Sequence, residues 1–215
     1  GGSIQNRMRF LLEIIKGIRS QTPPHFGIAV KLNSADFQKG GFSEEESMVV
    51  ISELDKLNLD FIEVSGGTYE SAAMMGQTKQ STIQREAYFL EFARKVKKEM
   101  TSPLMLTGGF RSRDSMEKAL EDGAVDIIGI GRPYCVYPHL AKEFLEGTRL
   151  RLEIEPKKTG VKIIDQVIPL EITWYNQQLQ RMAKLKNPSP NLNVWFAVAN
   201  TICELGITSL RRVRA

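Results

Sequence analysis

Leu106-Thr107-Gly108-Gly109-Phe110-Arg111 and Ile128-Gly129-Ile130-Gly131-Arg132-Pro133 are the two stretches whose reading decides the fold. Each follows a short apolar run, Pro103 to Leu106 and Val125 to Ile128, that reads as buried strand, and each precedes a helical pattern. This arrangement predicts backbone N–H groups, bare of side chains, at the C-terminal ends of neighbouring parallel strands. Such a place suits a phosphate, because the amides approach closely and the next helix presents its positive dipole end. In a (β/α)8 barrel the phosphate site is commonly built from the loops after strands seven and eight, and these tracts match that pair. Ordinary tight turns also use glycine, so the argument rests on two tracts side by side with Arg132 after the second.

Working outward, the chain alternates helices and strands. Ser3 is a plausible N-cap for a helix carrying Phe10, Leu11, Ile14, Ile15 and Ile18, stopped by Pro23-Pro24. Phe26 to Leu32 reads as a strand interrupted by Lys31 near its exit. Ser43 opens a helix with Glu44, Glu45 and Glu46 in its first turn, where carboxylates suit the dipole. Leu59 to Val64 is the next strand, followed by a polar stretch from Tyr69 to Gln84. A helix is predicted over Arg85 to Met100, then strand 103–106, helix 112–122, strand 125–128 and a helix around 139–145. Helix alternating with strand is the signature of a parallel sheet covered by helices. Four strands make the C-terminal half of a (β/α)8 barrel, whose usual length is about 250 residues.

From about Thr148 the rhythm changes. Residues 149–162 are charged and loop-like, 172–185 and 192–205 read as helices, and Pro188-Ser189-Pro190 separates them. We therefore expect residues 1–147 to form a partial barrel and 148–215 an extension whose two helices pack on it.

With 215 residues, 42% hydrophobic and 25% charged, the composition is that of an ordinary soluble protein. A net charge of +4 without a recognition motif gives no ground for nucleic-acid binding. No apolar run reaches the length of a membrane span. Cys135 and Cys203 are too few for a disulfide framework or a zinc site, so the expected setting is reducing and cytoplasmic, with no metal.

Five segments occur in order: Gly1-Gly2-Ser3-Ile4-Gln5-Asn6-Arg7, Val30-Lys31-Leu32-Asn33, Val64-Ser65-Gly66-Gly67, Thr107-Gly108-Gly109-Phe110-Arg111 and Gly131-Arg132-Pro133. Together they resemble the C-terminal half of the old yellow enzyme-like NADH:flavin oxidoreductases, FMN-dependent (β/α)8 barrels. The resemblance runs from Gly1 to about Gly147. It implies that backbone amides at Gly108, Gly109, Phe110, Gly131 and Arg132 bind the FMN phosphate, with the Arg132 guanidinium adding charge-assisted bonds. It sets Lys31 against the flavin N1/O2 edge, where a cation stabilises the negative charge that hydride arrival brings. Ser65-Gly66-Gly67 would line the cavity.

The activity implied is hydride transfer from NAD(P)H through the flavin to an activated alkene such as an enone. The His/His or His/Asn pair that grips the substrate carbonyl belongs to the first half of the family's barrel, and neither His25 nor His139 replaces it. We therefore assign no catalytic residue to this chain. The expected partners are a small-molecule substrate and a missing N-terminal half-barrel or a second copy of the chain. A barrel isomerase or lyase acting on a phosphorylated substrate would use the same two loops. A truncated half-barrel without catalysis would also contain them.

Overall fold

A computed structural model describes residues 1–66, 86–153, 155–167 and 170–205. The described residues fall into two compact units, one ending at Ile130 and one beginning at Gly131. The division follows packing density. The expected boundary at 147/148 followed the change of sequence rhythm.

The first unit alternates α1 (Ile4–Gln21), β1 (Ala29–Asn33), α2 (Glu44–Asp55), β2 (Phe61–Ser65), α3 (Leu90–Lys97), β3 (Leu104–Thr107), α4 (Arg113–Glu121) and β4 (Ile127–Gly129). The four strands pair in parallel in the order β1-β2-β3-β4. This is the α/β architecture expected, four βα units of a (β/α)8 barrel. The caps lie where hydroxyls were available: Ser3 accepts from the Asn6 amide, Ser43 from Glu46 and Ser112 from Ser115. Each hydroxyl satisfies an orphan N–H of a first turn.

Register gives the sheet two unlike faces. Ile62, Val64, Leu104 and Leu106 are fully buried, as alternation requires of one face. Val50, Ile51 and Leu54 of α2 and Phe92, Ala93 and Val96 of α3 supply further core. On the opposite face Lys31 pairs with Glu63, Glu63 with Met105, and Met105 with Ile127. Ile127 there is 38% exposed.

Aspartates at the strand entrances help to fix this register. Asp60, just before β2, accepts the Ile28 N–H at 2.6 Å, and Asp126, before β4, accepts the Leu104 N–H at 2.7 Å. Asp55 accepts the amides of Thr101 and Ser102 ahead of β3. The backbone bond from Ile28 holds the Asp60 carboxyl below its ordinary range. Burial pushes Asp55 and Asp126 upward, and the hydrogen bonds they accept outweigh it.

Strand ends moved from their predicted positions. β1 begins at Ala29 and not at Phe26, which is half exposed, and β4 covers Ile127–Gly129 in place of 125–128. Val125 is buried ahead of the ladder, so apolarity alone marked burial and not pairing. The helix predicted from Arg85 begins at Leu90, because Ala87 adopts φ 52 and turns the chain first.

The second unit holds a 3-10 turn (Arg132–Cys135), α5 (Leu140–Leu145), α6 (Lys162–Val167), α7 (Leu170–Ala183) and α8 (Val194–Leu205). The last two are the helices expected in the extension; the short α6 and the 3-10 turn were not foreseen. Val136, Trp174, Tyr175 and Ala197 form a buried cluster there. The Trp174 indole N–H donates to the Leu192 carbonyl at 2.8 Å, tying α7 to the loop before α8.

Candidate functional site

The exits of β3 and β4 are neighbours. Thr107, the last residue of β3, stands opposite Gly129, the last of β4. The two glycine-rich tracts therefore start from adjacent rungs of one sheet.

At the β3 exit, Gly108 has φ 147 and Gly109 φ 82, regions that side chains disfavour. Their Cα faces are also occupied: a Cβ on Gly108 would meet the Phe89 ring at 2.7 Å, and one on Gly109 the Tyr88 ring at 2.8 Å. A Cβ on Gly66 would meet the same Phe89 ring at 2.6 Å. Phe89 in turn stacks on Phe37, with centroids 5.8 Å apart. The glycines let an aromatic cluster settle over the strand ends, a demand that the sequence reading did not include. Phe110 is buried.

Glu86 grips the far side of this loop. Its carboxylate accepts the N–H groups of Arg111 and Ser112, both at 2.8 Å, and the hydroxyls of Ser112 and Ser115 at 3.1 and 2.6 Å. Burial pushes the Glu86 carboxyl up, and these bonds outweigh it, so its pKa falls below the ordinary glutamate value. The amides of Arg111 and Ser112, just ahead of α4, are thus already satisfied by an internal anion, which leaves any phosphate to the residues before them. Beside that loop, the Thr107 hydroxyl and Arg111 Nε are buried without a hydrogen-bond partner among the described residues.

At the β4 exit the demand for glycine differs. Gly129 is needed for packing, since a Cβ there would run into the Thr107 side chain. Gly131 has a negative φ, and nothing lies within 4 Å of where its Cβ would be. Packing among the described residues does not explain this glycine.

Arg132 is held by one hydrogen bond, from Nη1 to Glu171 Oε2 at 2.9 Å. Its side chain is 48% exposed, while that of Glu171 is 5% exposed. No other acceptor among the described residues meets this guanidinium, which leaves its remaining N–H donors without a bond there.

Lys31 lies on the open sheet face in an ion pair with Glu63 of the adjacent strand. Its charge is local and compensated, with the lysine more exposed than its partner. One rung on, Asn33 stands opposite Ser65.

Among the described residues, a cavity of about 320 Å3 lies in the loop after β1 and one of about 220 Å3 beside Trp174, and neither is lined by Lys31, Gly108, Gly109, Phe110, Gly131 or Arg132. Among the described residues no cluster of His, Cys, Asp and Glu would hold a metal, and no helix is long and apolar enough to cross a membrane. Gly67, Tyr69 and the basic run Arg211, Arg212 and Arg214 lie outside the described residues.

The sequence reading missed Glu86 and Glu171. Their partners are 25 and 39 residues away, beyond any local spacing rule. Glu171 did leave a trace, as the one acid in the first turn of α7, but that position is explained equally by the helix dipole.

Residues 1–150 match the NADH:flavin oxidoreductase / NADH oxidase family. The chain is 41% identical over 154 residues to the NADH-dependent flavin oxidoreductase iliE of Hypocrea jecorina (strain QM6a), covering 66% of this chain and 37% of that protein. It is 34% identical over 204 residues to the NADH-dependent flavin oxidoreductase iccE of Talaromyces variabilis, covering 86% of this chain and 49% of that one. Among solved structures, the 2-naphthoyl-CoA reductase–2-naphthoyl-CoA complex superposes with a TM-score of 0.61 and 31% identity, over 68% of this chain and 22% of that one. The chain spans half or less of the length of these relatives.

Proposed function

The chain belongs to the NADH:flavin oxidoreductase / NADH oxidase family, and from that premise we propose that it carries the FMN-phosphate-binding half of an NAD(P)H-dependent reductase of activated alkenes such as enones. The reading is carried by one observation, the pairing of Thr107 with Gly129, which starts both glycine-rich exits from adjacent strands. Three fungal relatives bear names specifying NADH as reductant, which favours NADH here.

The residues fit the phosphate end of FMN. Gly131 has open space over its backbone, Arg132 has unused donors, and the buried Thr107 hydroxyl and Arg111 Nε flank the β3 exit. We assign phosphate binding to the amides of Gly108, Gly109, Phe110, Gly131 and Arg132, with the Arg132 guanidinium supplying charge. Lys31 is assigned to the electron-rich edge of the ring, where its ammonium favours added negative charge. FMN, when bound, supplies the capacity to accept and donate hydride. The polypeptide's part is to orient the cofactor and to hold positive charge at its phosphate and ring edge.

Residues 1–147 are the barrel segment in this reading and 148–215 an extension. The substrate-polarising pair and the other four strands are assigned to a first half-barrel, in the same protein or in a partner chain. Family membership removes the ground for an isomerase or lyase acting on a phosphorylated substrate. A reducing, cytoplasmic setting belongs to the same proposal; Cys135 and Cys203 are both free thiols.

Titrating FMN with the purified chain and following flavin fluorescence tests the proposal. Expected is micromolar or weaker binding that prefers FMN over riboflavin. Submicromolar binding by a monomer overturns the half-site reading. Equal binding of the two flavins overturns the phosphate assignment.

A further inference from the structure

The second unit contains a contact that the family match, ending at residue 150, does not reach. Glu171, the second residue of α7, is almost wholly buried and receives Arg132 Nη1 on one carboxylate oxygen. Its other oxygen accepts the Lys157 N–H at 2.7 Å. A buried carboxylate is tolerated only when its lone pairs are satisfied, and here one partner is backbone and the other is a half-exposed arginine.

The helix bearing Glu171 is itself anchored. Trp174, one turn on, is 1% exposed and hydrogen-bonded, and the Lys157 ammonium lies 4.3 Å from its ring centroid. Gln178 exchanges two bonds with Ser189, at 3.0 and 2.8 Å. Cys135 of the 3-10 turn and Val136 beside it pack with the Trp174–Tyr175 cluster. The arginine and its carboxylate partner therefore sit on one packed platform.

We infer that Glu171 is a positioning residue for phosphate binding: it holds the Arg132 guanidinium by Nη1 so that its remaining donors are set toward the FMN phosphate before the ligand arrives. The inference rests on the proposed phosphate role of Arg132. A free arginine loses rotamer freedom on binding, and a tethered one has already lost it, so the tether raises affinity for the phosphate. It also gives the extension a part in cofactor recognition. The alternative physical outcome is that the Glu171 charge merely neutralises Arg132 and opposes phosphate; the two effects have opposite signs.

The test compares FMN and riboflavin, which differ in the phosphate, on the full chain and on Glu171→Gln, Glu171→Ala, Arg132→Ala and the double variant Glu171→Ala/Arg132→Ala. A purely structural role lowers binding of both flavins together. Positioning lowers only the preference for FMN, by about tenfold for each single variant, with the double variant no worse than Arg132→Ala alone. An independent readout without flavin is the Arg132 guanidinium NMR signal, expected to be dispersed in the wild-type chain and averaged in Glu171→Ala. Trp174 fluorescence checks that α7 remains packed. A wild-type chain that prefers FMN while the Glu171 variants keep or increase that preference overturns this inference and leaves the phosphate site standing. A wild-type chain without preference overturns the phosphate assignment itself and this inference with it.

Discussion

The two glycine-rich exits are each held by a distant glutamate, and they are held in different ways. At the β3 exit Glu86 binds backbone N–H groups and serine hydroxyls, and aromatic rings fill the faces of Gly108 and Gly109. At the β4 exit Glu171 binds an arginine side chain, and nothing fills the face of Gly131. At the first loop aromatic rings occupy the glycine faces and Glu86 takes the Arg111 and Ser112 amides. The second has an open glycine face and a guanidinium with a single acceptor among the described residues. Packing thus requires glycine at Gly108, Gly109 and Gly129, whereas the face of Gly131 is open.

The sharpest way to break that comparison is by alanine substitution. Gly108→Ala adds a methyl against Phe89 at a positive φ, and urea unfolding should show a loss of about 2–4 kcal/mol. Gly131→Ala has no such obstacle and should cost less than about 0.5 kcal/mol. Equal losses at the two positions would end the distinction between a packed and an open glycine face.

Next in size is Glu86. Removing it leaves two amides and two hydroxyls to find new partners, and Glu86→Ala should lose about 2–3 kcal/mol. The depressed carboxyl sets the sign of its pH dependence. Its contribution is complete above the unfolded glutamate value of about 4.3 and is lost as pH falls through the lower folded value. Asp55 and Asp126 are depressed in the same direction and steepen the same acid limb. Stability profiles of Glu86→Ala and the wild type should therefore converge toward low pH; a constant gap down to acid pH would contradict this account of Glu86.

Gly131→Ala sharpens the comparison through binding. Its methyl would stand where the phosphate is expected, so the FMN-over-riboflavin preference should fall about tenfold while melting stays near wild type. The smallest effect is expected at Lys31. Its pair with Glu63 is more than half exposed on the lysine side, and such pairs contribute about 0–1 kcal/mol. Lys31→Gln should barely change unfolding, yet should shift the reduction potential of bound flavin to more negative values, read by dye equilibration. An unchanged potential would remove Lys31 from the flavin assignment.

Much of this fold was legible because its signals are local. Ser3, Ser43 and Ser112 cap the helices predicted to follow them, and the buried row Ile62, Val64, Leu104 and Leu106 follows from strand alternation. Strand ends were less legible: Val125 is buried without being in the ladder, and Ala87 turns a helical pattern aside through its φ. The candidate site divides likewise. Lys31, Gly108, Gly109, Phe110, Gly131 and Arg132 were named from the glycine-rich tracts after apolar runs together with the family resemblance. That Lys31 pairs with Glu63, or that Phe89 covers Gly108, depends on which segments meet.

The sequence by itself determined the four βα units, their helix caps and the two glycine-rich exits, because apolar period, capping chemistry and glycine placement act over a few residues. Only the tertiary structure decided that Thr107 faces Gly129, that Glu86 satisfies the start of α4 and that Glu171 holds Arg132. Those contacts join residues 22 to 39 positions apart, and such pairings are selected by shared burial and hydrogen-bond satisfaction, which no local pattern records.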